Sequence, residues 1–449
     1  MGNKRRDFFR RAAAFGAGLA GARRIGRAAE NVPLQTPHLP RLPWKMVDGV
    51  KEFHLIAEPV KHKFLPSRPV DVWGFNGSMP GPTIEANEGD RVRIVFENRL
   101  PEITAVHWHG LELPIEMDGV PGISMDPVKP GEKFTYEFDL NQHGSFFYHS
   151  HMPMQEMLGM IGWFIIQPKV SYEPAVDRDY AYVLQEWALL PNNTVPNTLS
   201  MEFNWLTMNG KTGPDIIPVL CRQGERVRLR FVNMGMDHHP MHMHGHQWVE
   251  TGTEGGRIPE AAWTPGNTSL VGVAQVRMVE FEAKYLGDWM LHCHLPHHMM
   301  NQMVSMVGPM SHSGHAMPAG LSMESGMGML SQGHALSDEA GPSLGRGLGM
   351  AADREQRVSN LVAQAPAVPV PHDHSMHGAA AAPASVPGYP QDMWMPMDHL
   401  IDRPENIGLR KDWTASMMGM MTLIRVLPND RFDEIQAAIE QRKAQGYQG

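Results

Sequence analysis

Cysteine is nearly missing from this sequence. Two residues, Cys221 and Cys293, in a chain of 449 exclude a disulfide-stapled scaffold. Charge is sparse as well, at 19% of residues with a formal net charge of −9 and no long basic block. That balance excludes a nucleic-acid partner held by phosphate neutralisation. Long apolar runs are also lacking. The weakly apolar stretch from Ala12 to Ala22 is about half a membrane span, so no transmembrane helix is expected. The 42% hydrophobic content supports a large core and excludes general disorder. The abundant residues are 24 His and 35 Met. Imidazole together with thioether is a ligand set that suits copper.

The N-terminus reads Lys4-Arg5-Arg6-Asp7-Phe8-Phe9-Arg10, then an Ala/Gly-rich stretch with small residues at Ala20-Gly21-Ala22. Paired arginines before a weakly apolar segment resemble a twin-arginine export signal over residues 1–30. The expected location is the periplasm, or another compartment reached by that route.

An internal repeat organises the rest. Gly89-Asp90-Arg91-Val92-Arg93-Ile94 matches Gly224-Glu225-Arg226-Val227-Arg228-Leu229. Each copy then reaches a His-x-His-Gly, at His107-Trp108-His109-Gly110 and at His242-Met243-His244-Gly245. A second pair follows in each, His149-Ser150-His151 and His292-Cys293-His294, shortly after Gly144 and Gly287. Asn76-Gly77 and Asn209-Gly210 fill one upstream slot, a tight-turn signal between strands. The chain contains one domain twice.

Both copies read as β. Arg91 to Phe96 and Lys133 to Leu140 alternate polar with apolar, and Val276 to Phe281 does so more loosely. Short strands with Gly/Pro turns predict an all-β architecture of two Greek-key domains, each a sandwich or a barrel, over residues 50–170 and 171–310. Too little chain separates the copies for a third domain. Residues 311–390 are rich in Gly, Ala, Ser, Pro, Met and His, and read as a disordered, weakly metal-binding linker. Residues 391–449 read as a Met-rich segment with a short helix starting near Pro428-Asn429, since Phe432, Ile435 and Ile439 share one helical face. If the chain from Ser311 to Gly449 only buffers copper, it is not needed to build the enzyme.

On a strand, residues i and i+2 face the same way. Each His-x-His therefore sends two imidazoles to one side, and four such pairs supply eight, too many for one ion. Cys293, between His292 and His294, points to the opposite face. A metal on its sulfur and a cluster on its neighbours' imidazoles would be joined by a few covalent bonds. His239, His298 and Met303 stand at sensible intervals for the remaining ligands, and two imidazoles, a thiolate and a weak thioether make a blue-copper centre. The first copy has Thr104, Ser150 and Gln155 at the positions of His239, Cys293 and His298. Only Met160, opposite Met303, keeps a ligand type.

These four histidine segments resemble the copper motifs of multicopper oxidases over roughly residues 50–310. The resemblance implies two cupredoxin-like domains and is similar to the two-domain, small-laccase branch with type 1 copper in the second domain. By motif, His239, Cys293, His298 and Met303 would bind type 1 copper, and His107 and His242 type 2 copper. His109, His149 and His294 would bind one type 3 copper, and His151, His244 and His292 the other. The cofactor expected is thus four coppers per functional unit. The activity implied is one-electron oxidation of a phenolic compound or cuprous ion, coupled to four-electron reduction of dioxygen to water. Electrons would leave substrate at His298 and travel through Cys293, and Asp118 resembles the family's acidic residue near type 2 copper. Two-domain relatives form homotrimers with intersubunit clusters, so a homotrimer is expected. The other readings are a copper-sequestering, copper-tolerance protein and a copper nitrite reductase; the complete set of eight histidines and Ser150 in the first copy argue against the latter.

Overall fold

A computed structural model describes residues 32–189, 193–299 and 396–447. The twin-arginine segment, the Met/His-rich linker and Met303 lie outside the described residues.

Two β-sandwiches repeat the same plan. In the first, β1 (Val50–Leu65), β4 (Arg91–Asn98) and β6 (Lys133–Asp139) form one sheet, with β2 (Arg68–Phe75) on the outer side of β1. The facing sheet runs β3 (Ile84–Asn87), β8 (Ile161–Gln167), β7 (Gly144–Ser150), β5 (Val106–His109). The second sandwich has β9 (Arg178–Trp187), β12 (Arg226–Asn233), β16 (Val276–Glu282) and β14 (Trp248–Thr253) in that order, with β10 (Trp205–Met208) on β9. Its other sheet runs β11 (Val219–Arg222), β18 (Met421–Leu427), β17 (Gly287–Cys293), β13 (His239–Met243), β15 (Thr268–Val271). The pairing senses repeat as well: β1 with β4 and β9 with β12 are parallel, as are β3 with β8 and β11 with β18.

The repeat extends to single side chains. Asn76-Gly77 and Asn209-Gly210 both have two consecutive positive φ angles, 51° and 73° against 52° and 72°, the conformation that closes a two-residue hairpin. Each asparagine also accepts a backbone hydrogen bond, Asn76 from Ile56 and Asn209 from Val183.

Alternation in β4 is clear because one face meets the core and the other meets water. In β16 it is blurred because both faces are covered. Val279 and Phe281 enter the core of their own sandwich. Val276 packs instead with Phe147, Trp163 and Ile165 of the first sandwich, beside Ala181 and Val183 of β9. The two sandwiches therefore join through a continuous apolar layer.

The structure corrects the domain boundary at residue 310. Strand β18 lies between β11 and β17, and Met420, Ile424 and Val426 are buried in the same core as Cys293. The C-terminal helix α1 (Asn429–Lys443) then caps the sandwich, with Phe432, Ile435 and Ile439 against Leu220 and Leu427. The separate Met-rich tail expected from composition is thus partly core. Composition misleads because the strand follows a long low-complexity stretch, and only strand pairing reveals where it belongs. Among the described residues no helix is long and apolar enough to cross a membrane.

Each fully buried aliphatic side chain of β18 is worth about 1.5–3 kcal/mol, against about 5–15 kcal/mol for a whole domain. A chain stopped at residue 310 should therefore lose the folded second domain, read as loss of its cooperative thermal transition by circular dichroism. A truncated chain that keeps that transition would contradict the role of β18.

Candidate metal centres

Strand alternation sets the site. On β5, Trp108 faces the core of the first sandwich while His107 and His109 face the other way. On β17, Cys293 enters the core of the second sandwich and His292 takes the opposite face. Antiparallel register then sets histidines directly across from each other, His107 opposite His149 and His242 opposite His292.

In each sandwich the four histidines form a quartet. Around His107 the ring centroids of His109, His149 and His151 lie at 5.7, 5.4 and 5.5 Å. Around His242, those of His244, His292 and His294 lie at 5.1, 5.5 and 5.2 Å. Backbone carbonyls orient the rings. Nδ1–H of His107 donates to Asp118 O, that of His149 to Ser150 O, that of His242 to Asn267 O and that of His292 to Cys293 O, all at 2.8–2.9 Å. A carbonyl can only accept, so the proton sits on Nδ1 and the Nε2 lone pair is left for a metal. Nδ1 of His109 lies 3.4 Å from Nε2 of His149, and the Nε2 atoms of His244 and His292 lie 3.1 Å apart. Burial, reinforced by neighbouring imidazoles, pushes His109 down to about 4 and lowers His244 and His292 too. The neutral, ligating form of these rings is favoured.

The third cluster is His239, Cys293 and His298, all buried. Nδ1 of His298 lies 3.4 Å from the sulfur and Nδ1 of His239 3.7 Å from it, with 3.1 Å between the two nitrogens. The far nitrogen of each ring meets a carboxylate: Glu186 Oε1 at 2.7 Å from His239 and Asp237 Oδ2 at 3.4 Å from His298. Glu186 is held by backbone N–H groups of Met236 and Asp237. It passes so close to Gly235 that a Cβ there would sit 1.5 Å from its oxygen. Burial raises the Cys293 thiol to about 12, so a metal must displace its proton on binding. Two imidazoles and one thiolate in a dry pocket fit copper.

The first sandwich shows the same positions without ligands. Ser150 Oγ donates to Gln155 Oε1 at 2.7 Å and lies 3.2 Å from Thr104 Oγ1. A hydroxyl–amide network occupies the positions that His239, Cys293 and His298 take in the second sandwich.

Residues 57–171 match one multicopper oxidase family description and residues 189–310 another. The chain belongs to the multicopper oxidase family. Members bind copper, and the three His/Cys clusters are its candidate holders here. The blue copper oxidase of Nitrosomonas europaea is similar in structure, with a TM-score of 0.53 at 29% identity over 56% of this chain and 81% of that one. A copper resistance protein A homologue of Pseudomonas syringae pv. tomato is 38% identical over 33% of this chain and 26% of its own. Laccase-2 of Botryotinia fuckeliana is 30% identical over 48% of this chain and 40% of its own. The chain thus spans well under half the length of these curated relatives.

Among the site residues expected from sequence, Asp118 stands beside the first quartet, its Oδ1 3.4 Å from His107 Nδ1. Cys221 is buried in the second core at no metal cluster. Sequence reasoning missed Glu186, Asp237 and Glu156, whose carboxylate lies 3.0 Å from His149 Nδ1. Glu156 stands five residues past His151 and could have been found as the nearest acid to that motif. Glu186 had no signal, because strand β9 brings it in from far along the chain.

Replacing Cys293 by Ser should abolish the absorption at about 600 nm expected of a copper–thiolate site while far-ultraviolet circular dichroism stays unchanged. Colour surviving in that variant would remove Cys293 from the site.

Proposed function

We propose that this multicopper oxidase takes single electrons from a reductant at His239, Cys293 and His298 and delivers them to a three-copper cluster held by the eight quartet histidines. One observation carries the reading. Cys293 and His292 are consecutive residues of one strand, with the sulfur in one cluster and the imidazole in the other. Copper supplies one-electron redox chemistry at the first site and four-electron reduction of dioxygen to water at the second. Four coppers per unit, the number the family resemblance implies, would share these donors.

The residues divide the work. His298, 6% exposed against 0% for His239, is the ring through which substrate electrons enter. Cys293 and its flanking His292 and His294 form the covalent path onward. His107 and His242 hold the type 2 position. His109 and His149, whose nitrogens converge, share one type 3 position with His294. His244 and His292 share the other with His151. Asp118, beside His107, accepts and returns protons at its Oδ1.

The cluster needs both quartets, yet among the described residues no group of converging ligand atoms mixes them. The second quartet is half open, with His244 and His294 exposed. We read each quartet as one half of a site completed by the next subunit. That contact is heterologous and closes as a ring, a homotrimer in keeping with the two-domain branch. The twin-arginine segment supports export of the folded, metal-loaded chain to the periplasm.

For the reductant, a cuprous ion is favoured over a phenol by one feature. Met290, Met299, Met417 and Met421 pack together beside Trp413, with Met299 directly after His298 and Met421 the first residue of β18. Thioethers suit a soft monovalent ion. Similarity to copper resistance proteins supports the same choice.

Oxygen consumption by the copper-loaded protein should follow cuprous ion, and phenols more slowly, with four reductant electrons per dioxygen. Bound copper without oxygen uptake would instead indicate sequestration. Separately, His109→Ala and His294→Ala variants should each be inactive, and mixing them with copper should restore activity. Random ring assembly leaves about one interface in four intact. An active monomer, or no rescue on mixing, would refute the shared site.

A further inference from the structure

Spacing alone assigns the thioether of the blue-copper site to Met303, ten residues after Cys293 as Met160 is ten after Ser150. Strand pairing gives a different answer. In the first sandwich, Ser150 N–H donates to Met160 O at 3.1 Å and Met160 N–H donates to Gln155 O at 3.2 Å. Met160 immediately precedes β8, the strand beside β7. In the second sandwich, Cys293 N–H donates to Met420 O at 3.0 Å and Met420 N–H donates to His298 O at 2.9 Å. Met420 immediately precedes β18, the strand beside β17, and β8 and β18 have the same seven-residue length.

The correspondence is complete: Ser150 with Cys293, Gln155 with His298, Met160 with Met420. We propose that Met420, not Met303, is the thioether ligand of the type 1 copper. The assignment rests on reading His239, Cys293 and His298 as that site.

Three further observations support it. The register that sets His292 opposite Met421 sets Cys293 opposite Met420, so both side chains leave their strands on the same face. Met420 is fully buried in the core cluster that holds Cys293. Its two backbone groups are fastened to two of the three other ligands, so a thioether there is positioned by the same bonds that position the site. Met241 is the alternative sulfur, opposite Cys293 on β13. Its counterpart in the first repeat is Val106, an aliphatic core residue, so it is read as packing.

The consequence concerns the whole Met/His-rich stretch. In the first sandwich four residues, 156–159, join the positions of His298 and Met420. In the second, residues 299–419 do so. The stretch is therefore an insertion between the third and fourth ligands of one copper, with both ends fastened at the electron-entry site.

The test uses the full-length, copper-loaded protein and reads the type 1 electron paramagnetic resonance signal and reduction potential. Met420→Gln, which supplies a stronger axial donor, should lower the potential and alter the signal. Met420→Leu should raise the potential at nearly constant core volume, and serves if the glutamine variant does not fold. Met303→Gln and Met241→Leu should leave both readouts as in the wild type. A change from Met303→Gln, alone or beside one from Met420, overturns the assignment, as do silent Met420 variants. A wild-type protein with no type 1 signal, or a signal that survives Cys293→Ser, refutes the underlying site instead.

Discussion

Pairing of the Gly287–Cys293 strand with a neighbour on each side is the constraint on which the metal chemistry depends. Held between His239–Met243 and Met421–Leu427, that strand cannot rotate, so its alternation is enforced. Cys293 is committed to a dry core beside two imidazoles, and His292 to the opposite face among three others. One peptide unit thereby joins two chemically different clusters. A slip of one residue would exchange their faces and dismantle both.

The duplicated sandwich shows what is architecture and what is chemistry. Both copies keep the turn asparagines, the carbonyl-oriented histidines and the parallel edge pairing. They differ at the positions of His239, Cys293 and His298. There the first copy has Thr104, Ser150 and Gln155, which satisfy one another by hydrogen bonds. The fold tolerates either solution because each fills the same buried space with mutually compensated atoms. Carboxylates complete the copy that keeps the ligands. Glu186 is fully buried, and its contact with His239 and the backbone is what makes such burial tolerable.

Domain packing fastens the two copies to each other. The face of the first sandwich that carries Phe147, Trp163 and Ile165 is spent on the second sandwich's outer sheet. Among the described residues, no group of converging ligand atoms takes histidines from both sandwiches. An interdomain layer this apolar holds the two sandwiches in a fixed relative placement.

Much of this was readable in one dimension. The internal repeat, the alternation of strands and the His-x-His pairs follow from local periodicity, so the two β-sandwiches, eight imidazoles and the Cys293 centre could be named without coordinates. Asn76-Gly77 and Asn209-Gly210 could be named too, because a two-residue turn depends only on its own φ angles. What the tertiary structure alone decided are the partners that arrive from afar. Glu186 reaches His239 from the facing sheet of the sandwich, and Met421–Leu427 enters the core after a stretch whose composition suggested a tail. Strand pairing and burial act between residues remote in sequence, so no spacing rule could reach them, and the choice between Met303 and Met420 is set by register, not by count.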